Sequence, residues 1–140
     1  MEIEISKAQL LKGQAFDNGV YKGTIQSAKC TSTRKSDAID GEIVFAFEDE
    51  TLAADERTID HTFYNMLGKG IGFLTPYIAA VQGKSIKEVT DALAKGEKLK
   101  FDFDATQGIK LQIEIKNELF EGRLVSKVKN FLPYNAEVVL

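Results

Sequence analysis

The stretch from Leu99 to Pro133 limits what this chain can fold into more than any other. Leu99, Phe101 and Phe103 alternate with Lys100, Asp102 and Asp104. Beyond Ala105-Thr106-Gln107-Gly108, the residues Ile109, Leu111, Ile113 and Ile115 alternate with Lys110, Gln112, Glu114 and Lys116. Apolar residues at every second position predict strands with one buried face. Gly108 is free to take a positive φ, so the two runs are read as a hairpin. A last strand is predicted over Arg123–Lys129, with Leu124, Ser126 and Val128 opposite Val125, Lys127 and Lys129. The rest of the chain must cover the apolar face of this sheet.

The upstream chain supplies further strands. Met1–Asn18 is read as an arm carrying Ile3, Ile5, Leu10 and Leu11, and Asp17-Asn18-Gly19 as a turn. Val20–Thr31 is a first strand in which Tyr21, Gly23 and Ile25 share a face before the small apolar side passes to Ala28 and Cys30. That switch predicts a bulge near Gln26, and Gly23 predicts a bend or close backbone approach. A polar loop, Ser32–Gly41, carries Arg34 and Lys35. A second strand, Glu42–Asp49, presents Ile43, Phe45 and Phe47. Thr51–Glu56 is an acidic turn, and a third strand, Arg57–Asn65, presents Ile59, His61 and Phe63.

The period then changes. Phe73, Leu74, Tyr77, Ile78 and Val81 recur at helical spacing, with the helix starting near Thr75, Pro76 in its first turn and Gly83 at its end. Ser85 with Glu88 forms a capping box for a second helix, whose predicted buried face is Ile86, Val89, Ala92 and Leu93. Three strands, two helices and three more strands imply an α+β protein. The expected architecture is mainly β, an OB-like antiparallel barrel of five to six strands with a helical insert between strands three and four. At 140 residues one domain is expected. It divides into the arm 1–18, a meander 19–66, the insert 68–96 and the C-terminal strands 98–134.

Few residues suggest chemistry. His61 is the sole histidine, and its neighbour Asp60 points to the opposite strand face, so no catalytic triad is read there. Asp102 and Asp104 share a face, as a cation-binding pair would, but alternating charge on a solvated strand accounts for them. Gly68-Lys69-Gly70-Ile71-Gly72 lacks both the Walker and the dinucleotide-binding spacings. It is read as a strand-to-helix loop, with Lys69 as a phosphate contact in the functional alternative. Cys30 is the single cysteine, which excludes an internal disulfide and argues against a cysteine zinc site. We therefore expect no catalytic residue, no metal and no cofactor. No apolar run approaches membrane-spanning length and no signal pattern opens the chain, so a cytoplasmic protein without membrane contact is expected.

Binding fits the residues better. The formal net charge is −3, yet cations cluster at Lys22, Lys29, Arg34 and Lys35, and again at Arg123, Lys127 and Lys129. Tyr64 and Phe120 are aromatic residues expected outside the core, Phe120 in a turn between strands. Cations that follow phosphates and rings that stack on bases are what a single-strand binder needs. Solubilising lysines on edge strands explain the same pattern equally well, and the two readings stay open at this point.

Three segments carry a family resemblance: Gly19-Val20-Tyr21-Lys22-Gly23-Thr24-Ile25, Phe63-Tyr64-Asn65 and Val128-Lys129-Asn130-Phe131-Leu132-Pro133. Across residues 19 to 134 the chain resembles a family of small phage-encoded proteins linked to single-stranded DNA binding in phage replication and recombination. The resemblance implies an OB-like fold, a sequence-tolerant grip on single-stranded DNA, phage or host replication and recombination proteins as partners, and the host cytoplasm as location. The alternative is a phage protein-binding module, a host inhibitor or assembly adaptor, acting through Asp37, Asp40, Glu48, Asp49, Glu50, Asp55 and Glu56. A homo-oligomer is also expected, with Val138-Val139-Leu140 adding a strand to a neighbour.

Overall fold

The computed structural model describes residues 1–6, 9–10, 13–32 and 38–137. Arg34, Lys35, Asp37, Leu11 and Val138-Val139-Leu140 lie outside the described residues. Five antiparallel strands form one sheet in the order β3-β2-β1-β4-β5. They are β1 (Gly19–Ser32), β2 (Ile39–Phe47), β3 (Thr58–Phe63), β4 (Lys110–Phe120) and β5 (Arg123–Pro133). Among the described residues, three α-helices with defined bounds accompany them: α1 (Glu50–Ala53), α2 (Ile71–Gln82) and α3 (Ile86–Ala94).

Alternation dictates the two faces of the sheet. Ile43, Phe45, Ile59, Phe63, Leu111, Ile113, Ile115, Val128 and Phe131 are buried on the inner side. Leu74, Tyr77 and Ile78 of α2 close over them, joined by Phe16 from the arm. The register of β1 on β2 shifts between Ile25 and Ser27, which places the expected bulge at Gln26 and turns Ala28 inward. Gly23 has the expected close approach: a Cβ there would stand 2.2 Å from the Ala46 carbonyl oxygen and 2.4 Å from the Phe45 ring.

The strand expected over Leu99–Phe103 does not form. Phe103 is buried and Phe101 packs on the core, so the apolar period is used, but the polar residues between them divert the backbone. The Asp102 carboxylate accepts from the Ala105 amide and the Asp104 carboxylate from the Cys30 amide, drawing Asp104–Thr106 into a 3-10 turn. Local bonds of this kind compete with a ladder. The hairpin instead lies further on, between β4 and β5. Its turn is Glu121-Gly122, both at positive φ (50° and 80°), as a tight hairpin turn requires. Phe120 is thus the last residue of β4 and not part of the turn.

The helices also depart from expectation. The acidic turn after β2 is the short helix α1, capped by Asp49, whose carboxylate accepts from the Thr51 amide. α2 begins four residues earlier than predicted, at Ile71, with Gly70 as its N-cap. Pro76 therefore sits inside the helix. Phe73, one of the apolar residues at the predicted helical spacing, is 75% exposed, because the buried stripe runs through Leu74, Tyr77 and Ile78. The Ser85–Glu88 capping box is present, but only Val89 of α3 is buried, and Ile86 and Leu93 stay half-exposed.

The two ends of the sheet come close to each other. Phe63 of β3 and Phe131 of β5 have ring centroids 5.6 Å apart, and His61 lies 5.5 Å from Phe131. Side chains bridge β3 and β5, and no strand ladder joins them among the described residues.

Candidate nucleic-acid interface

β1 ends its pairing with β4 at Gly19 opposite Ile115. From Lys116 onward β4 and β5 continue as a two-stranded ribbon beyond the sheet. Its base is fixed by Asn117, whose amide donates to Asn18 Oδ1 and whose Nδ2 donates to the Phe16 carbonyl. Ser126 donates from Oγ to Asn117 Oδ1 and accepts from the Phe16 amide. These bonds make the ribbon a fixed projection of the arm and sheet.

The register sets what the ribbon displays. Lys116 faces Lys127, Glu118 faces Val125 and Phe120 faces Arg123, all on the outer side of the sheet. Leu119 faces Leu124 on the other side. Leu119, Phe120 and Leu124 are 76%, 60% and 56% exposed, so the tip shows apolar surface on both sides. Glu118 pairs with Lys129, and that hydrogen bond holds its carboxyl below the usual carboxylate range. Lys116, Lys127 and Arg123 form no ion pair among the described residues. Like charges directly opposite on a sheet repel each other, so the Lys116–Lys127 pair is a position that an anion would relieve.

The other sequence candidates fall elsewhere. Lys22 lies on the same outer face, opposite Gln112, with its Nζ 4.9 Å from the centre of the Tyr134 ring. Lys110 approaches that ring at 5.7 Å. The Tyr134 hydroxyl donates to the Glu48 carboxylate, which raises the phenol's pKa. Gln112 anchors the segment by donating from Nε2 to the carbonyls of Pro133, Tyr134 and Ala136. Because β4 separates β1 from β5, Lys22 and Lys127 share the outer face without adjoining. Lys29 sits at the far end of β1, facing Glu42. Tyr64, 71% exposed, and the exposed Lys69 flank the turn that leads into α2. Four separate groups result, and the ribbon holds the densest one.

Sequence reasoning missed Lys116, Lys110 and Tyr134. Lys116 was legible in principle: counting outward from Glu121-Gly122 brings it opposite Lys127. Tyr134 depends on the fold, because Gln112 places it.

His61 packs edge-on to Phe63 at 4.6 Å. Burial, followed by the charge of Lys127, pushes its pKa down to about 4, so it is neutral at neutral pH. Among the described residues no group of three or more His, Cys, Asp or Glu side chains is placed to hold a metal ion. No helix there is long and apolar enough to cross a membrane. Of the acidic residues, Glu48 is bound by Tyr134 and Asp49 is bound by Thr51, so part of that surface is engaged within the chain. Compared with known families and curated proteins, the sequence matches no family model and no curated relative.

Proposed function

We propose that this protein is a non-catalytic, sequence-tolerant single-stranded DNA-binding protein of phage replication or recombination, with the β4–β5 ribbon at the centre of its site. The observation that carries the reading is the exposed Phe120 ring beside Arg123, with Lys116 and Lys127 on the same face and in no ion pair among the described residues. Phe120 stacks on a base, while Arg123, Lys116 and Lys127 hold phosphates, and Lys129 joins them when Glu118 releases it. Tyr64, Lys69, Lys22 and Lys29 are secondary contacts along a longer strand. Arg34 and Lys35, between β1 and β2 in the sequence, are further candidate contacts.

An OB-type barrel is the matching fold reading. The order β3-β2-β1-β4-β5 is that of such a barrel opened between its third and fifth strands, with helices in the connection between the third and fourth. In that fold the β1–β2 and β4–β5 loops flank the oligonucleotide. Here the outer face of β2 and β3 carries Glu42 and Asp60, which repel phosphate, so the β4–β5 side takes the larger share.

The test is a fluorescence-anisotropy titration of labelled oligothymidine at low and moderate salt. Affinity is expected to fall with salt, by about 0.7 in the log–log slope for each phosphate contacted. Phe120→Ala should weaken binding roughly tenfold, in line with about 1–3 kcal/mol per stacked base, and leave the melting temperature unchanged. Absence of binding at low salt would overturn the proposal.

A further inference from the structure

We propose that the open lower half of the β3–β5 seam is a strand-addition slot, and that the first six residues of a second copy fill it. The inference does not rest on DNA binding.

Above, Phe63, His61 and Phe131 hold the two sheet edges together. Below, Thr58–Asp60 and Arg123–Ser126 part around a groove of about 560 Å³, floored by Ala15 and Phe16. Both walls are terminal strands of the sheet, each with one side unpaired. Exposed strand edges are templates for an added extended chain.

The groove also favours a carboxylate. Arg57, on its wall, is only 8% exposed, lies 3.9 Å from the Phe16 ring centre and donates from one terminal nitrogen to the Gln14 carbonyl. Its Nε is buried without a partner, and no carboxylate pairs with it among the described residues. A buried cation without a counter-charge is costly. Arg123, on the facing wall, is likewise unpaired. Glu56 and Asp60 are exposed on the rim and bond to neither arginine.

One segment of this chain has matching chemistry. Glu2-Ile3-Glu4-Ile5 alternates acidic and apolar residues, so an extended form puts both carboxylates on one side and both isoleucines on the other. Ile3 and Ile5 are 79% and 74% exposed. Each recess is lined by two carboxylates, Glu56 and Asp60 at the seam and Asp102 and Asp104 beneath α3, but only the seam adds two arginines that offset its pair, and this selects the seam. Residues 1–6 are exposed and do not line the groove of their own chain, so the slot is assigned to the arm of a second copy. Reciprocal exchange closes a two-fold dimer in which each arm completes the partner's sheet.

Sedimentation velocity on the full chain tests this without DNA. A dimer is expected at micromolar concentration, and the double variant Ile3→Asp, Ile5→Asp should raise its dissociation constant roughly tenfold or more. In a Cys30→Ser background, Ile3→Cys and Thr58→Cys placed on separate copies should form a mixed disulfide dimer on oxidation. A full chain that stays monomeric, a dimer indifferent to the aspartate pair, or a mixture of the two cysteine variants that forms no mixed disulfide would each overturn the proposal.

Discussion

The His61 imidazole is held between Phe63 and Phe131 at the seam, and its surroundings convert pH into stability. Its ordinary pKa of 6.5 falls to about 4 in the folded chain. The unfolded chain therefore binds this proton first, and the contribution of His61 is fully present above pH 6.5. It is lost as pH falls from 6.5 toward 4, up to about 3 kcal/mol by linkage. Urea unfolding across that range should show the loss, and His61→Leu should flatten the dependence. Gly23 illustrates a different constraint. Gly23→Ala drives a methyl into the Ala46 carbonyl and the Phe45 ring, neither of which can yield without moving β2. Destabilisation of about 1–3 kcal/mol is expected, measured by the urea midpoint. Gly23 was legible in the sequence as a close approach, since glycine inside an apolar alternation has few other uses.

Among the elements, the β4–β5 ribbon would, under the proposed DNA-binding role, set stability against binding. Lys116→Glu replaces a repulsive cross-strand pair with an attractive one facing Lys127. It should stabilise the fold by about 0.2–1 kcal/mol and weaken oligonucleotide binding. Calorimetry and anisotropy on the same sample would show the two opposite signs, and a purely structural lysine would show only the first. The elements also reveal where the sequence could be read. The Gln26 bulge and the Ser85–Glu88 capping box were visible because each is a local rule with a local cause. The segment Leu99–Phe103 was misread because its apolar period is real while its backbone bonds go to the Asp102 and Asp104 side chains. The start of α2 was misplaced by four residues because it depends on Gly70, where a Cβ would lie 1.8 Å from the Tyr64 carbonyl oxygen. No periodicity encodes that. The site was partly legible: Phe120, Arg123 and Lys127 were singled out, and their convergence with Lys116 required the register.

For the whole molecule, the position of β1 governs how the chain is made. This strand pairs with β2 on one side and β4 on the other, so the first strand in the sequence is the centre of the sheet. Its β2 partner begins soon after it in the sequence, at Ile39. Lys110, which pairs with Thr24, leaves the ribosome roughly 85 residues later, a wait of about 4–17 s at 5–20 residues per second. Throughout that interval Tyr21, Gly23 and Ile25 offer a bare, apolar strand to any other nascent chain. Truncated chains ending before Lys110 should therefore aggregate on release, and chains extended through Phe131 should remain dispersed, as light scattering would record. The fold places its most vulnerable surface in the path of synthesis, and its stability depends on the strands from Lys110 onward arriving in time.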